Sequence, residues 1–277
     1  MTLHRRAILA GLGLGLVAAV PAPAQEARQR LAAESVIETI KKNGVIKVGV
    51  STFVPWSMNA KDGSLVGFEI DVAKRLAEDM GVRAEFVPTA WDGIIPALIA
   101  GKFDVIISGM SITPKRNLTV NFTIPYATSG VGMAANRKLA AGFTGIRDFN
   151  KPGVKLAVRR GVVGAQLAKE LMPRAELLQF DDEAQVIQEV LNGNAHAFLT
   201  SEPKPTFEVL KHPDVLFQPA VGTLNRQAEG FAVRKGDPDA INFFSNWIIL
   251  RQLDGWLEQR HDYWFKTRDW ASLVEGP

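Results

Sequence analysis

The chain has 277 residues, of which 47% are apolar and 22% are charged, and its formal net charge is +3. This length is enough for one large domain or two modest domains with hydrophobic cores. The chain has no cysteine, which excludes disulfides and thiol catalysis. A modest charge without a basic block gives no reason to expect nucleic acid or an anionic membrane surface as a partner.

Residues 1–24 have the pattern of an export signal, because two consecutive arginines precede an apolar run that ends in small residues. The arginine pair leaves open whether the twin-arginine route or the general route is used. This segment contains two arginines and no acid, so its removal lowers the net charge from +3 to +1. No other apolar run has bilayer length, and we therefore predict a soluble, monomeric periplasmic protein.

Two helices packed on a sheet are predicted in the first part of the mature chain. In residues 67–82 the apolar positions have helical spacing, with Asp71 as the N-cap and a glycine at the end. Residues 91–109 repeat this scheme, with Asp92 as the cap, a helix to Ala100 and a buried strand after it.

Small polar groups and one arginine follow that buried strand. Ser108, Gly109 and Ser111 come at its carboxyl end, where open α/β sheets place their ligands, and Arg116 follows within reach. A guanidinium among hydroxyl and amide donors matches the two oxygens of a carboxylate. The alternative interpretation is a surface turn whose charges are solvated.

A weak internal repeat indicates two similar halves. Residues 98–109 and 190–201 both contain a helix end, a glycine and a strand that ends in small polar residues. Two such strand ends favour two α/β lobes that face a shared cleft. The predicted division is lobe one at 40–132 plus 234–270, lobe two at 136–228, and crossings near 131–135 and 230–233.

Further elements are predicted in the second half. Strands at 155–158 and 176–180 each precede a helix, and these helices span 163–171 and 183–191. Asp181 and Asp182 come directly before the second helix, and we interpret them as its caps. A paired carboxylate site for acid–base chemistry is the alternative. Tryptophans in two C-terminal helices are assigned to packing.

The segments GFEIDVAKRLAEDMGV (67–82), SGMSITPKR (108–116) and NFTIPY (121–126) closely resemble the extracellular solute-binding proteins of family 3, the periplasmic receptors of polar amino acid ABC importers. The resemblance covers essentially the whole mature chain. It implies an α/β, two-lobed periplasmic binding protein fold of type II with a ligand cleft between the lobes. It also implies a small carboxylate or amino acid ligand, an ABC permease in the inner membrane as partner, and no cofactor.

The resemblance also implies roles for individual cleft residues. Trp91 and Phe53 match the aromatic walls, although both would also be ordinary as core residues. Ser111 and the backbone at Gly109 match donors to the ligand, and Arg116 matches the arginine that binds its carboxylate.

Lobe two departs from the family pattern at two positions. Val163 stands where a threonine is usual, and Ser201 stands where an aspartate pairs with the ligand's α-ammonium. Neither replaces the lost charge, whereas Arg159 occupies a place where some members have a cation. Glu202 would restore ammonium binding if it turned inward, but we expect the pleat to point it away from the direction of Ser201. We therefore expect a cleft without an acid in lobe two, which favours keto acids, hydroxy acids or dicarboxylates over common L-amino acids.

An enzyme is the alternative function, because cyclohexadienyl dehydratases share this pattern. The resemblance places their general acid on the lobe-two helix after the glycine turn, where this chain has Ala165 and Gln166. Neither side chain can protonate a leaving hydroxyl. We therefore expect no turnover of prephenate or arogenate.

Overall fold

The computed structural model describes residues 35–220 and 222–274, so the export signal predicted at residues 1–24 lies outside it. None of the described helices is long and apolar enough to cross a membrane. The strands are β1 (Val45–Val50), β2 (Met58–Asn59), β3 (Leu65–Val66), β4 (Arg83–Pro88), β5 (Val105–Ile106), β6 (Asn121–Phe122), β7 (Ala127–Ser129), β8 (Val131–Asn136), β9 (Lys155–Arg159), β10 (Glu176–Phe180), β11 (Ala197–Ser201), β12 (Leu216–Phe217), β13 (Gln227–Glu229) and β14 (Ala232–Val233). The α-helices are α1 (Val36–Asn43), α2 (Phe68–Asp79), α3 (Ile94–Ile99), α4 (Pro114–Asn117), α5 (Val163–Leu171), α6 (Glu183–Leu191), α7 (Lys204–Lys211), α8 (Pro238–Leu253) and α9 (Trp256–Lys266).

Two mixed sheets of five strands form the framework. The first sheet has the order β4-β1-β5-β14-β6, and the second sheet has the order β10-β9-β11-β8-β12. In each sheet the first three strands are parallel and the fourth is antiparallel to both of its neighbours. The repeated segments supply β5 and β11, which occupy the same position in the two sheets. This is the two-lobed α/β architecture predicted from the sequence.

The chain passes between the two sheets along β7 and β13, which pair with each other as an antiparallel ribbon. The crossings predicted near 131–135 and 230–233 are displaced from this ribbon. Residues 131–136 form β8 inside the second sheet, and 232–233 form β14 inside the first. Every residue of β8 is buried, which requires packing on both faces of a sheet and is incompatible with an exposed link between lobes.

The helix caps only partly match their predictions. Asp182 caps α6, because its carboxylate accepts hydrogen bonds from the Ala184 and Gln185 amides at 2.7 and 3.3 Å. Asp71 is not a cap, since α2 already begins at Phe68, and its carboxylate instead accepts from the Trp264 indole at 2.7 Å. Asp92 lies in a short 3₁₀ turn that precedes α3. The bounds of α5 and α6 are those predicted.

Each sheet has its own hydrophobic core. The larger core joins the first sheet to α2, α8 and α9 and includes Trp247 and Trp264, which are buried as predicted. A separate cluster around Phe149 and Leu199 packs on the second sheet. Apolar packing also joins the two halves, because Phe207 of α7 packs against the larger core.

Candidate functional site

A central cavity lies between the carboxyl ends of the parallel strands of both sheets, which is where α/β sheets place ligands. The space between its lining atoms is about 520 Å³, including the open mouth. It brings together all nine residues predicted as ligand contacts, namely Phe53, Trp91, Ser108, Gly109, Ser111, Arg116, Arg159, Val163 and Ser201. The strand-end argument thus located the cavity from sequence.

Arg116 is anchored from both sides of the cavity. Thr113 caps α4 by accepting from the Arg116 amide at 3.2 Å. The guanidinium donates to the Ser111 carbonyl at 2.8 Å and, across the cleft, to the Gly161 carbonyl at 3.1 Å. Burial lowers its pKa to about 10, with Glu229 opposing this effect, so it stays charged at neutral pH. Its other N–H groups have no hydrogen-bond partner among the described residues.

The ring of Trp91 lies against two guanidinium groups. The carbon of the Arg116 guanidinium is 5.3 Å from the ring centroid, and that of Arg159 is 5.9 Å away. Such cation–π contacts are favourable, more so when the groups are shielded from water. Trp91 therefore orients both cations at the cavity wall. The other predicted aromatic, Phe53, lines the same cavity.

Arg159 also connects the two sheets. It donates from Nε to the Asp181 carbonyl at 3.2 Å and from a terminal nitrogen to the Ser51 hydroxyl at 3.0 Å. Ser51 follows β1, and its amide donates to the Ser108 hydroxyl at 2.8 Å. Arg160, the next residue, is exposed and pairs with the Asp181 carboxylate at 2.8 Å outside the cavity.

The floor of the cavity is a buried chain of hydrogen bonds. The Gly109 amide donates to the Tyr126 hydroxyl at 3.2 Å, and that hydroxyl donates to Glu69 at 2.6 Å. Desolvation raises the pKa of Glu69 to about 8, although the Tyr126 hydrogen bond opposes it. Gly109 has φ +57°, and a Cβ there would lie 3.1 Å from the Trp56 ring. Glycine is therefore required by both backbone conformation and space.

The ribbon between the sheets contributes a second buried acid. The Ser111 hydroxyl donates to the Gln227 side chain, and the Ser129 hydroxyl donates to Glu229 at 2.6 Å. Burial raises the pKa of Glu229 to about 7, while the Ser129 hydrogen bond and the charge of Arg116 lower it. The hydroxyls of Ser108 and Ser111 and the amide of Gly109, all predicted as ligand donors, therefore already have partners within the protein.

The amino end of α5 faces the cavity from the second sheet. Val163 begins this helix and lines the cavity together with its neighbours on either side. The first amides of a helix lack intrahelical acceptors, and the helix dipole favours an anion near them. Val163 thus offers backbone donors in place of the threonine hydroxyl that the sequence lacks.

Glu183 is the most important residue that the sequence interpretation missed. Its side chain lines the cavity beside Thr200 and Ser201 and is only 9% exposed. Burial raises its pKa, with the Thr200 hydroxyl and the charge of Arg159 acting in the opposite direction. The expectation that this side of the cleft holds no acid is therefore wrong. The acid lies at the start of α6 rather than at the end of β11, where Ser201 lies.

Glu202 points away from the cavity, as the pleat predicted. Its carboxylate accepts from the Thr206 hydroxyl at 2.8 Å and from the Gln218 amide at 3.1 Å. Trp56 and Gln227 also line the cavity without having been predicted. Neither residue lies at the end of a buried strand, so nothing in the surrounding sequence indicated that either lines the cavity.

Comparisons with known proteins place this site in a family. The model of the bacterial extracellular solute-binding proteins, family 3, matches residues 46–267. The chain is 29% identical to the L-cystine-binding protein TcyJ of Escherichia coli strain K12, over 95% of this chain and 96% of that protein. It is 25% identical to the cyclohexadienyl dehydratase of Pseudomonas aeruginosa, over 92% of both chains.

A solved structure extends the likeness to three dimensions. It is that of the ancestral amino acid-binding protein AncCDT-1, a precursor of cyclohexadienyl dehydratase. The TM-score is 0.76 at 39% identity, and the match covers 83% of this chain and 99% of that one. The two-lobed periplasmic binding protein fold predicted from the sequence is thereby confirmed.

Proposed function

Because the chain belongs to the bacterial extracellular solute-binding proteins of family 3, we propose that it is the receptor of an ABC importer. The leader at residues 1–24 exports it to the periplasm, where it captures a small carboxylate-bearing solute and delivers it to an inner-membrane permease. Its likeness to an L-cystine-binding protein and to an ancestral amino acid-binding protein supports an amino acid or a related organic acid as this solute.

One observation carries this proposal: a charged guanidinium with unused N–H donors lies in a cavity enclosed by both sheets. Arg116 is held in place by two backbone carbonyls, so its planar fork is preorganised for a carboxylate. The amino end of α5 at Val163 offers amides from the opposite side. A carboxylate between them would be contacted by both lobes.

Closure about the ribbon is the mechanism that we propose. Each lobe is built on one of the two sheets, and β7 and β13 serve as the hinge between them. Two polar contacts cross the cleft, from Arg116 to Gly161 and from Arg159 to Ser51. A ligand that adds contacts to both lobes shifts the equilibrium toward the closed form by its differential affinity for that form.

Titration calorimetry combined with small-angle X-ray scattering tests the proposal. The purified mature chain is titrated with a panel of amino acids, hydroxy acids and keto acids. At least one of them should bind with a dissociation constant of about 10 μM or tighter and reduce the radius of gyration. Failure of the whole panel to bind, or binding at saturation without compaction, would reject the receptor function.

A lyase of the dehydratase type is the second candidate, because Glu183 is a cavity acid whose raised pKa suits a general acid. Ala165 and Gln166 do not take this role; Ala165 has no proton to give, and the amide of Gln166 donates to Glu170 at 2.8 Å. Ultraviolet detection of phenylpyruvate formed from prephenate separates the candidates. We expect no formation above the uncatalysed rate; turnover at enzymatic rates would establish the lyase instead.

A further inference from the structure

Glu183 is a buried acid at the cavity wall that forms no ion pair with any described residue. The residue is 9% exposed, and its Oε1 atom is fully buried and has no hydrogen-bond partner among the described residues. The Thr200 hydroxyl is its one hydrogen-bonding neighbour in the described part of the chain. A carboxylate transferred from water into such a site with one oxygen unpartnered is disfavoured. The residue therefore needs an explanation beyond packing.

The neighbouring cations are engaged elsewhere. Arg159 donates to the Asp181 carbonyl and the Ser51 hydroxyl, and no ion pair within 4.0 Å joins it to Glu183 in the described part of the chain. Lys204, the other nearby cation, forms an ion pair with Glu208. Both cations act on Glu183 only at longer range.

A structural role at the helix end does not account for the acid either. Asp182 already caps α6 through two backbone amides, and Glu183 is the first residue within the helix. A negative charge at this position gains some stability from the helix dipole. That gain does not require the carboxyl group to be buried at the cavity wall, where it loses its hydration.

The charges around the cavity indicate what completes the site. Arg116 and Arg159 are balanced by Glu183 and Glu229 when all four are ionised. A ligand with a carboxylate alone would add an uncompensated negative charge, whereas a zwitterion would leave the sum at zero. The neutral hydroxyl of Ser201, which lines the same wall, cannot supply this balance.

We propose that Glu183 pairs with the positively charged nitrogen of a small zwitterionic ligand whose carboxylate is held by Arg116. The residue thereby selects amino acids over keto acids and hydroxy acids of the same carbon skeleton. This specificity rests on the receptor function proposed above. It replaces the expectation, drawn from Ser201 alone, that the cleft favours ligands without an ammonium group.

Matched ligands test this selection on the wild-type mature chain. Calorimetry compares L-alanine, L-lactate and pyruvate, and then L-lysine and L-arginine, whose side chains carry a second cation. An amino acid should bind at least about 30-fold more tightly than any of the acids without nitrogen. If lysine and arginine bind more tightly than alanine, Glu183 pairs with the side-chain cation. If the three affinities are equal, Glu183 pairs with the α-ammonium.

Variants separate a binding role from a structural role. Glu183→Gln keeps the shape of the side chain. It should weaken binding of the tightest-binding amino acid by about 30- to 1,000-fold, without lowering the thermal midpoint of the ligand-free protein. Glu189→Gln removes the same charge from the same helix outside the cavity and should leave affinity unchanged. Ser201→Asp, added to Glu183→Gln, should recover part of the loss by placing a carboxylate on the same wall.

The outcomes distinguish this inference from the receptor function. Lactate or pyruvate binding as tightly as the amino acids, or a Glu183→Gln affinity within threefold of wild type, overturns the role of Glu183 while the protein remains a carboxylate receptor. Failure of these solutes and of the whole wider panel of amino acids, hydroxy acids and keto acids to bind overturns both. A fall in the thermal midpoint with unchanged affinity assigns Glu183 to stability alone.

Discussion

Replacing Glu69 with glutamine should remove a large part of the pH dependence of stability between about pH 5 and pH 8. Glu69 lies fully buried on α2 below the cavity and accepts a hydrogen bond from the Tyr126 hydroxyl at 2.6 Å. Glutamine retains the volume and the acceptor oxygen but cannot ionise. The substitution therefore tests the charge of Glu69 rather than its packing.

The direction in which stability changes with pH follows from the pKa of Glu69. Desolvation raises the pKa of Glu69 from 4.5 to about 8, so the folded protein binds this proton more tightly than the unfolded chain. The resulting stabilisation is fully present below the unfolded pKa and is lost as the pH rises through the folded pKa. A rise of that size corresponds to about 5 kcal/mol at most, since one pKa unit is about 1.4 kcal/mol.

Urea denaturation at several pH values measures the effect. The free energy of unfolding of the wild type should fall relative to that of Glu69→Gln by about 3 to 4 kcal/mol over this range. Glu229 has a pKa raised to about 7 and contributes a slope of the same sign, but it is present in both proteins. Glu78→Gln, at an exposed position of the same helix, serves as control. Parallel curves for wild type and Glu69→Gln would refute the reasoning.

Two further substitutions address the cavity. Arg116→Ala should weaken binding of the best ligand by about 2 to 5 kcal/mol in calorimetry. Lys115→Ala, an exposed substitution on the same short helix, should leave the affinity unchanged. A loss of affinity below threefold for Arg116→Ala would place the carboxylate elsewhere. Gly109→Ala should lower the free energy of unfolding by roughly 1 to 3 kcal/mol more than Gly142→Ala. Both glycines have positive φ, but only at Gly109 would a Cβ meet the Trp56 ring; equal losses in urea titrations would contradict this.

The repeated strand ends explain why much of the fold could be predicted from sequence. The proline after α5 and the acidic caps before α6 indicated the bounds of these two helices, because such signals are local. The crossings could not be placed in the same way. The run at 131–136 has the composition of a strand, but composition does not say whether a strand lies inside a sheet or between sheets. Complete burial of β8 settles that question.

The cavity shows the same division between local and tertiary signals. Ser108 and Ser201 were found because each lies at the end of a buried strand, and Arg116 because it follows the first of these strand ends within reach. Glu183 was missed because it belongs to an acidic run that capping explains. Which acid of that run turns inward depends on how α6 packs beside β11, and this tertiary packing cannot be read from the acidic run itself.

Native mass spectrometry of protein purified without refolding tests most directly the claim that Arg116 holds a carboxylate ligand in the central cavity. The wild type should release a small solute with a carboxylate and a cationic nitrogen, and Arg116→Ala purified in parallel should retain little of it. A retained solute without a carboxylate, or equal occupancy of the wild type and Arg116→Ala, would contradict the account.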